Sequence, residues 1–127
     1  MAGEHTYDYA IIRVVPRVDR GELINVGVIL SCPSADFLEA RIEIDPTRLL
    51  ALDPALDLYA TRAHLDVIPR VCRGGPEAGE LGALPQRSRF HWLVSPRSTI
   101  IQMSPVHTGR TDDPGKTLQR LLDTMVR

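Results

Sequence analysis

Two segments rich in β-branched and aromatic residues, Tyr7 to Val15 and Glu22 to Cys32, are separated only by Pro16-Arg17-Val18-Asp19-Arg20-Gly21. Both segments carry strand composition. The connection holds Pro, Asp and Gly, which reverse a backbone at little steric cost, so an antiparallel hairpin is expected. A third strand follows. From Phe37 to Ile44, Leu38, Ala40, Ile42 and Ile44 fall on one face, and Phe37, Glu39, Arg41 and Glu43 on the other. That alternation describes a strand with one buried side.

Asp45-Pro46, Asp53-Pro54 and Asp113-Pro114 each set a capping carboxylate before a proline suited to the first helical position, so each is expected to open a helix. The first is short. The second presents Leu56, Tyr59, Ala60, Ala63 and Val67 at helical spacing, with Pro69 set to bend or restart it and Gly74-Gly75 to stop it. The third carries Leu118, Leu121, Leu122 and Met125. A surface connection, with one helical turn around Leu81 to Leu84, is expected in the Gly- and Pro-rich stretch 74–88. A fourth strand is expected within Thr99 to Ser104. The fold class predicted is α+β: an antiparallel sheet of about four strands with helices packed on one face.

A length of 127 residues suffices for one sizeable core, so a single domain over 1–127 is expected, with a flexible connection near 74–88. The formal net charge of -1 gives no global reason to seek polyanions, and nucleic acid is not an expected partner. The longest apolar run, Val26 to Leu30, falls far short of the roughly 20 residues that cross a bilayer. Cys32 and Cys72, without a basic-then-apolar leader, indicate neither a disulfide framework nor secretion, and a cytoplasmic location is expected. Both read as small core residues.

The polar run from Arg89 to Gly109 interleaves Arg, Ser, Thr, Gln and His with apolar residues more densely than a plain connector does. Arg97, Ser98 and Thr99 supply a guanidinium, hydroxyls and turn amides, the ingredients of an anion-binding concavity; a capped turn entering a strand explains them too. Gln102, Ser104 and His107 follow. His107 is the candidate catalytic residue, since a histidine titrates near neutrality, although a structural hydrogen bond accounts for it as well. A second cluster sits at the hairpin: Arg13, Arg17, Arg20, Glu22 and Asn25. Guanidinium forks suit phosphate or carboxylate, and a solvated turn with local ion pairs is the plainer alternative. Asn25 stands mid-strand with Gly27 on its face, which invites either close approach of a ligand or backbone, or a β-bulge. Phe90 and Trp92 could stack a base or anchor a core. The scattered histidines, and the absence of Cys-x-x-Cys and His-Glu-x-x-His, argue against a metal. No P-loop or G-x-G-x-x-G occurs, and no cofactor is expected.

Pro16-Arg17, Arg20-Gly21-Glu22 and Asn25-Val26-Gly27-Val28, with Arg89-Phe90, Trp92-Leu93, Pro96-Arg97-Ser98-Thr99, Gln102, Ser104-Pro105 and Val106-His107-Thr108-Gly109, resemble the bacterial family catalogued as domain of unknown function 3037. The resemblance covers nearly the whole chain and brings no activity, cofactor or catalytic residue with it. It implies a cytoplasmic protein whose gene often stands beside one for a HipA-like serine/threonine kinase, and hence an accessory or regulatory partner. Two functions are expected in consequence. The first is an interaction module for a kinase-like protein, with an Arg-rich, anion-compatible surface formed by the hairpin and the Arg97 to His107 rim. The alternative is a small enzyme acting on a phosphorylated or nucleotide-like substrate, with His107 as acid or base.

Overall fold

The computed structural model describes residues 3–97 and 99–127. Strand β1 (His5–Val14) turns back into β2 (Ile24–Cys32), and a single 3₁₀ turn at Pro33–Ala35 leads to β3 (Phe37–Ile42). All three pair antiparallel, with Ala10 opposite Ile29 and Ile29 opposite Ala40. On the other side of β1 lie β4 (Ile101–Met103) and β5 (His107–Thr111), both antiparallel to it. They behave as one edge strand interrupted by Ser104-Pro105-Val106. At the break, Ser104 N donates to the Ile11 carbonyl at 2.9 Å, and the Ile11 amide donates to Ser104 Oγ at 2.8 Å. The serine hydroxyl thus replaces a backbone partner where the ladder loses step.

The hairpin, the alternating third strand and the α+β antiparallel architecture stand as expected. The sheet has five strands among the described residues. Expected as a single strand within Thr99 to Ser104, the late edge continues through β5, because β1 is long enough to pair with both halves.

Helix α1 (Pro46–Leu52) begins at its Asp45 cap, whose carboxylate accepts from Arg48 N. Helix α4 (Pro114–Met125) begins in the same way at Asp113, which accepts from Lys116 N. Asp53-Pro54 does not open a helix. Asp53 closes α1 with its amide on the Leu49 carbonyl, and its side chain accepts from Ala55 N in a tight turn. The next helix, α2 (Leu58–Arg73), starts at Asp57. This later start changes the buried stripe to Thr61, Leu65, Ile68, Val71 and Cys72, while Tyr59 is 86% exposed. Ala and Tyr gave the expected stripe its period, but the larger aliphatic side chains bury more area and decide which side faces the sheet. Helix α2 runs through Pro69, with Ile68 and Val71 both buried beside it, and ends at Gly74, whose φ of 73° with an extended ψ is a conformation that glycine reaches far more easily than other residues.

The stretch 74–88 holds a 3₁₀ segment, Pro76–Ala83, kinked at Gly79, and the start of α3 (Gln86–Val94). Helix α3 has no side-chain cap at its N-terminus, and its early arginines oppose the helix dipole, so local signals do not announce it. Tertiary contacts hold it. Phe90 and Leu93 are buried in the main core, Arg87 reaches Asp8 and Ser31 Oγ, and Arg89 donates to the Leu84 carbonyl at 2.9 Å.

Both faces of the sheet are covered. Ala10, Ile12, Ile29 and Leu38 pack with Leu49 of α1, Leu65 and Ile68 of α2, and Phe90 of α3. Tyr7, Val28, Leu30 and Cys32 pack on the opposite face with Leu118, Leu121 and Leu122 of α4. Three helices share the first face, as expected of the class; α4 takes the second, because β2 from Val26 to Cys32 is apolar apart from Ser31 and buried on both sides.

Asn25 and Gly27 mark a β-bulge: Ile12 faces Gly27, Arg13 faces Asn25, and Val26 is the extra residue. The bulge separates the pair. Gly27 turns toward Ile12 and Ile42, and a Cβ there would stand 2.6 Å from the Arg41 carbonyl oxygen, so the neighbouring backbone excludes a side chain. Asn25 turns to the other face, where its Nδ2 donates to the Met125 carbonyl at 3.0 Å and its Oδ1 is buried without a partner.

Cys32 and Cys72 are buried free thiols. Burial pushes the Cys72 pKa up to about 12, against the opposing pull of the Arg89 charge, so the thiol stays protonated at neutral pH. Folded protein is expected to resist iodoacetamide at Cys72 and to react there only after denaturation. Site-resolved mass spectrometry checks this, and fast native labelling at Cys72 would contradict it.

Candidate interaction cleft

A cleft of about 260 Å³ runs between α2, α3 and the β4 edge. His64, Val67 and Ile68 come from α2, Trp92 and Leu93 from α3, and Ile101, Gln102 and Met103 from β4; Ser95, Arg97 and Thr99 close one end. Its position follows from the fold. Helices α2 and α3 bury Ile68 and Leu93 against the sheet, but β4 is too short to fill the space along its own edge. Trp92 therefore stays 39% exposed, beside the similarly exposed Val67.

Arg97 lies across the Trp92 ring, its guanidinium carbon 4.3 Å from the ring centroid. Its Nη1 donates to the Leu93 carbonyl at 3.2 Å and its Nη2 to the Trp92 carbonyl at 2.7 Å. A cation is thereby set where α3 ends and its carbonyls lack helical partners. Thr99 Oγ1 donates to the Ile101 carbonyl at 2.8 Å, and Gln102 Nε2 donates to the Thr99 carbonyl at 2.9 Å. These bonds shape the turn that feeds β4. Among the described residues that line the cleft there is no carboxylate.

Of the residues singled out in the sequence, Arg97, Thr99 and Gln102 meet at this cleft; Ser98 lies outside the described residues. The hairpin residues stand elsewhere. Arg17 pairs with Asp19 at 3.1 Å and Arg20 with Glu22, on exposed side chains, and neither arginine lines the cleft. Asn25 borders a separate cavity of about 540 Å³ with Arg48 and Arg127. Ser104 is buried, its hydroxyl accepting from the Ile11 amide and donating to the Pro105 carbonyl at 2.9 Å. His107 is exposed on β5, its ring centroid 5.3 Å from that of Tyr9. Phe90 is a core residue, whereas Trp92 belongs to the cleft.

The sequence reading passed over a polar cluster at the far end of the same sheet face. Asp8 accepts from Thr108 Oγ1 at 2.6 Å and from Arg87, whose other arm donates to Ser31 Oγ at 2.8 Å. Burial pushes the Asp8 carboxyl up, but the bonds from Thr108 and Arg87, with the charges of Arg87 and His91, outweigh it and hold the pKa below its ordinary value. An aspartate between Tyr7 and Tyr9, in a strand that continues as Ala10-Ile11-Ile12, was the available signal. Its guanidinium partner comes from α3, which local sequence does not announce.

An α+β protein with an antiparallel sheet, helices on both faces and an apolar cleft along one edge strand is the class these features define. Among the described residues no helix is long and apolar enough to cross a membrane, and no three of His, Cys, Asp and Glu gather as a metal site. The chain belongs to the family described as Protein of unknown function (DUF3037), whose model matches residues 9–126. No curated protein and no solved structure matches it.

Proposed function

We propose that this protein is a cytoplasmic interaction module and that the cleft between α2, α3 and β4 is its binding surface. The observation that carries the reading is the partly exposed Trp92, held by Arg97 beside an apolar floor and an edge strand. Exposed aromatic and Arg side chains around a small apolar recess are the anchors that dominate protein interfaces. Arg97 gives this surface the anion compatibility expected of the polar run. The partner in this reading is a HipA-like serine/threonine kinase, which the family resemblance implies. Acid–base catalysis at His107 draws less support, since Ser104 is committed to the backbone and His107 lines none of the described cavities.

A HipA-like kinase from the same genome, coexpressed with the chain, is expected to co-elute with it on size exclusion at micromolar concentration. Trp92→Ala is expected to weaken the complex by about 2 kcal/mol, roughly thirtyfold in Kd, as measured by calorimetry. Clean separation of the wild-type pair would remove the kinase as partner.

A further inference from the structure

We infer that the cleft takes an extended peptide segment that adds a strand to β4 and carries a large apolar side chain close to a carboxylate. This rests on the interaction reading above and names the chemistry of its ligand. The strand order runs β3-β2-β1-β4, and among the described residues no strand pairs with the outer side of β4. Val15 N donates to the Ile100 carbonyl and Ser104 N to the Ile11 carbonyl, so residues 100, 102 and 104 turn their backbone groups toward β1. Antiparallel alternation then turns the amides of Ile101 and Met103 outward. The Ile101 carbonyl is already taken by Thr99 Oγ1, while among the described residues those two amides have no acceptor. An edge offering donors beside an apolar recess is the geometry of strand addition, in which main-chain bonds supply affinity and alternate side chains enter pockets.

Charge complementarity selects the segment. The rim carries Arg97 and His64, and no described lining residue carries a carboxylate. Arg97 spends one N–H of each terminal nitrogen on helix carbonyls, and a guanidinium has five donors in all, so it can also donate to a ligand carboxylate. Ile68, Leu93 and Met103 form the floor for the neighbouring apolar side chain.

Selection of a phage-displayed library of random dodecapeptides on the full chain tests this. Enriched peptides are expected to place Asp or Glu within a residue or two of Trp, Phe, Leu or Met. Bound peptide is expected to slow hydrogen exchange at the Ile101 and Met103 amides. Arg97→Gln is expected to weaken a labelled selected peptide about tenfold and to abolish the acidic preference. Because Arg97 also caps α3, thermal melts accompany that variant, and Arg97→Lys, which keeps the charge, is expected to restore part of the preference. Apolar peptides selected without an acidic residue and bound equally by Arg97→Gln would overturn the inference while leaving the partner reading intact. Failure to enrich any Trp92-dependent peptide while the kinase complex persists would also overturn it. Self-association abolished by Trp92→Ala would overturn it as well, by assigning the cleft to a second copy.

Discussion

Phe90→Ala is expected to destabilise the protein by about 3–5 kcal/mol. Phe90 is 1% exposed and packs in the cluster that also holds Ile12, Ile29 and Leu65, so its removal leaves a cavity bounded by sheet and helices that cannot readily collapse. Arg87, whose guanidinium lies 4.9 Å from the centroid of the Phe90 ring, loses its apolar support in the same step. The loss is large against the 5–15 kcal/mol or so by which native proteins exceed their unfolded states. Urea denaturation reads it as a lower midpoint with an unchanged slope. A change below about 1 kcal/mol would mean that α3 is not seated as described.

The second large effect lies in Asp8. Asp8→Asn is expected to cost about 2 kcal/mol at neutral pH, since it removes the charge that Arg87 and Thr108 bind and leaves a neutral amide, whose single oxygen is a weaker partner for the Arg87 guanidinium than the carboxylate. The Asp8 side chain is 18% exposed, so solvent repays little of the loss. The pH dependence has a definite sign. A carboxyl whose folded pKa lies below its unfolded value stabilises the fold fully above the unfolded value of 3.8, and loses that contribution as pH falls through the lower folded value. The gap between wild type and Asp8→Asn is therefore expected to be full at neutral pH and to close in acid, below 3.8. A gap that widened in acid would contradict this assignment. Because Asp8 ties α3 to β1, and α3 carries Trp92, the same variant is expected to loosen one wall of the cleft.

These effects separate what local sequence could show from what it could not. The hairpin, the third strand, and the helices at Asp45-Pro46 and Asp113-Pro114 were legible because turn residues, alternation and caps act over a few residues of chain. Helix α3 was not, since it lacks a side-chain N-cap and an orderly stripe and is held by Phe90, Leu93 and the Arg87 link to Asp8. Strand β5 was obscured in the same way: His107 to Thr111 is mainly polar and becomes a strand because β1 offers an unpaired edge. Of the candidate site residues, Arg97, Thr99 and Gln102 lie close in sequence and meet at the cleft, whereas the hairpin arginines found acidic partners within two residues of themselves.

Sequence alone determined the antiparallel hairpin, the alternation of β3 and the capped starts of α1 and α4, each the product of forces between near neighbours. Tertiary structure decided which side of α2 faces the sheet, that Asn25 and Gly27 part at a bulge, that Ser104 closes the backbone ladder, and that Trp92 stays at the surface under Arg97. Those outcomes depend on which distant groups compete for the same buried space and the same hydrogen bonds, and that competition exists only once the chain has folded.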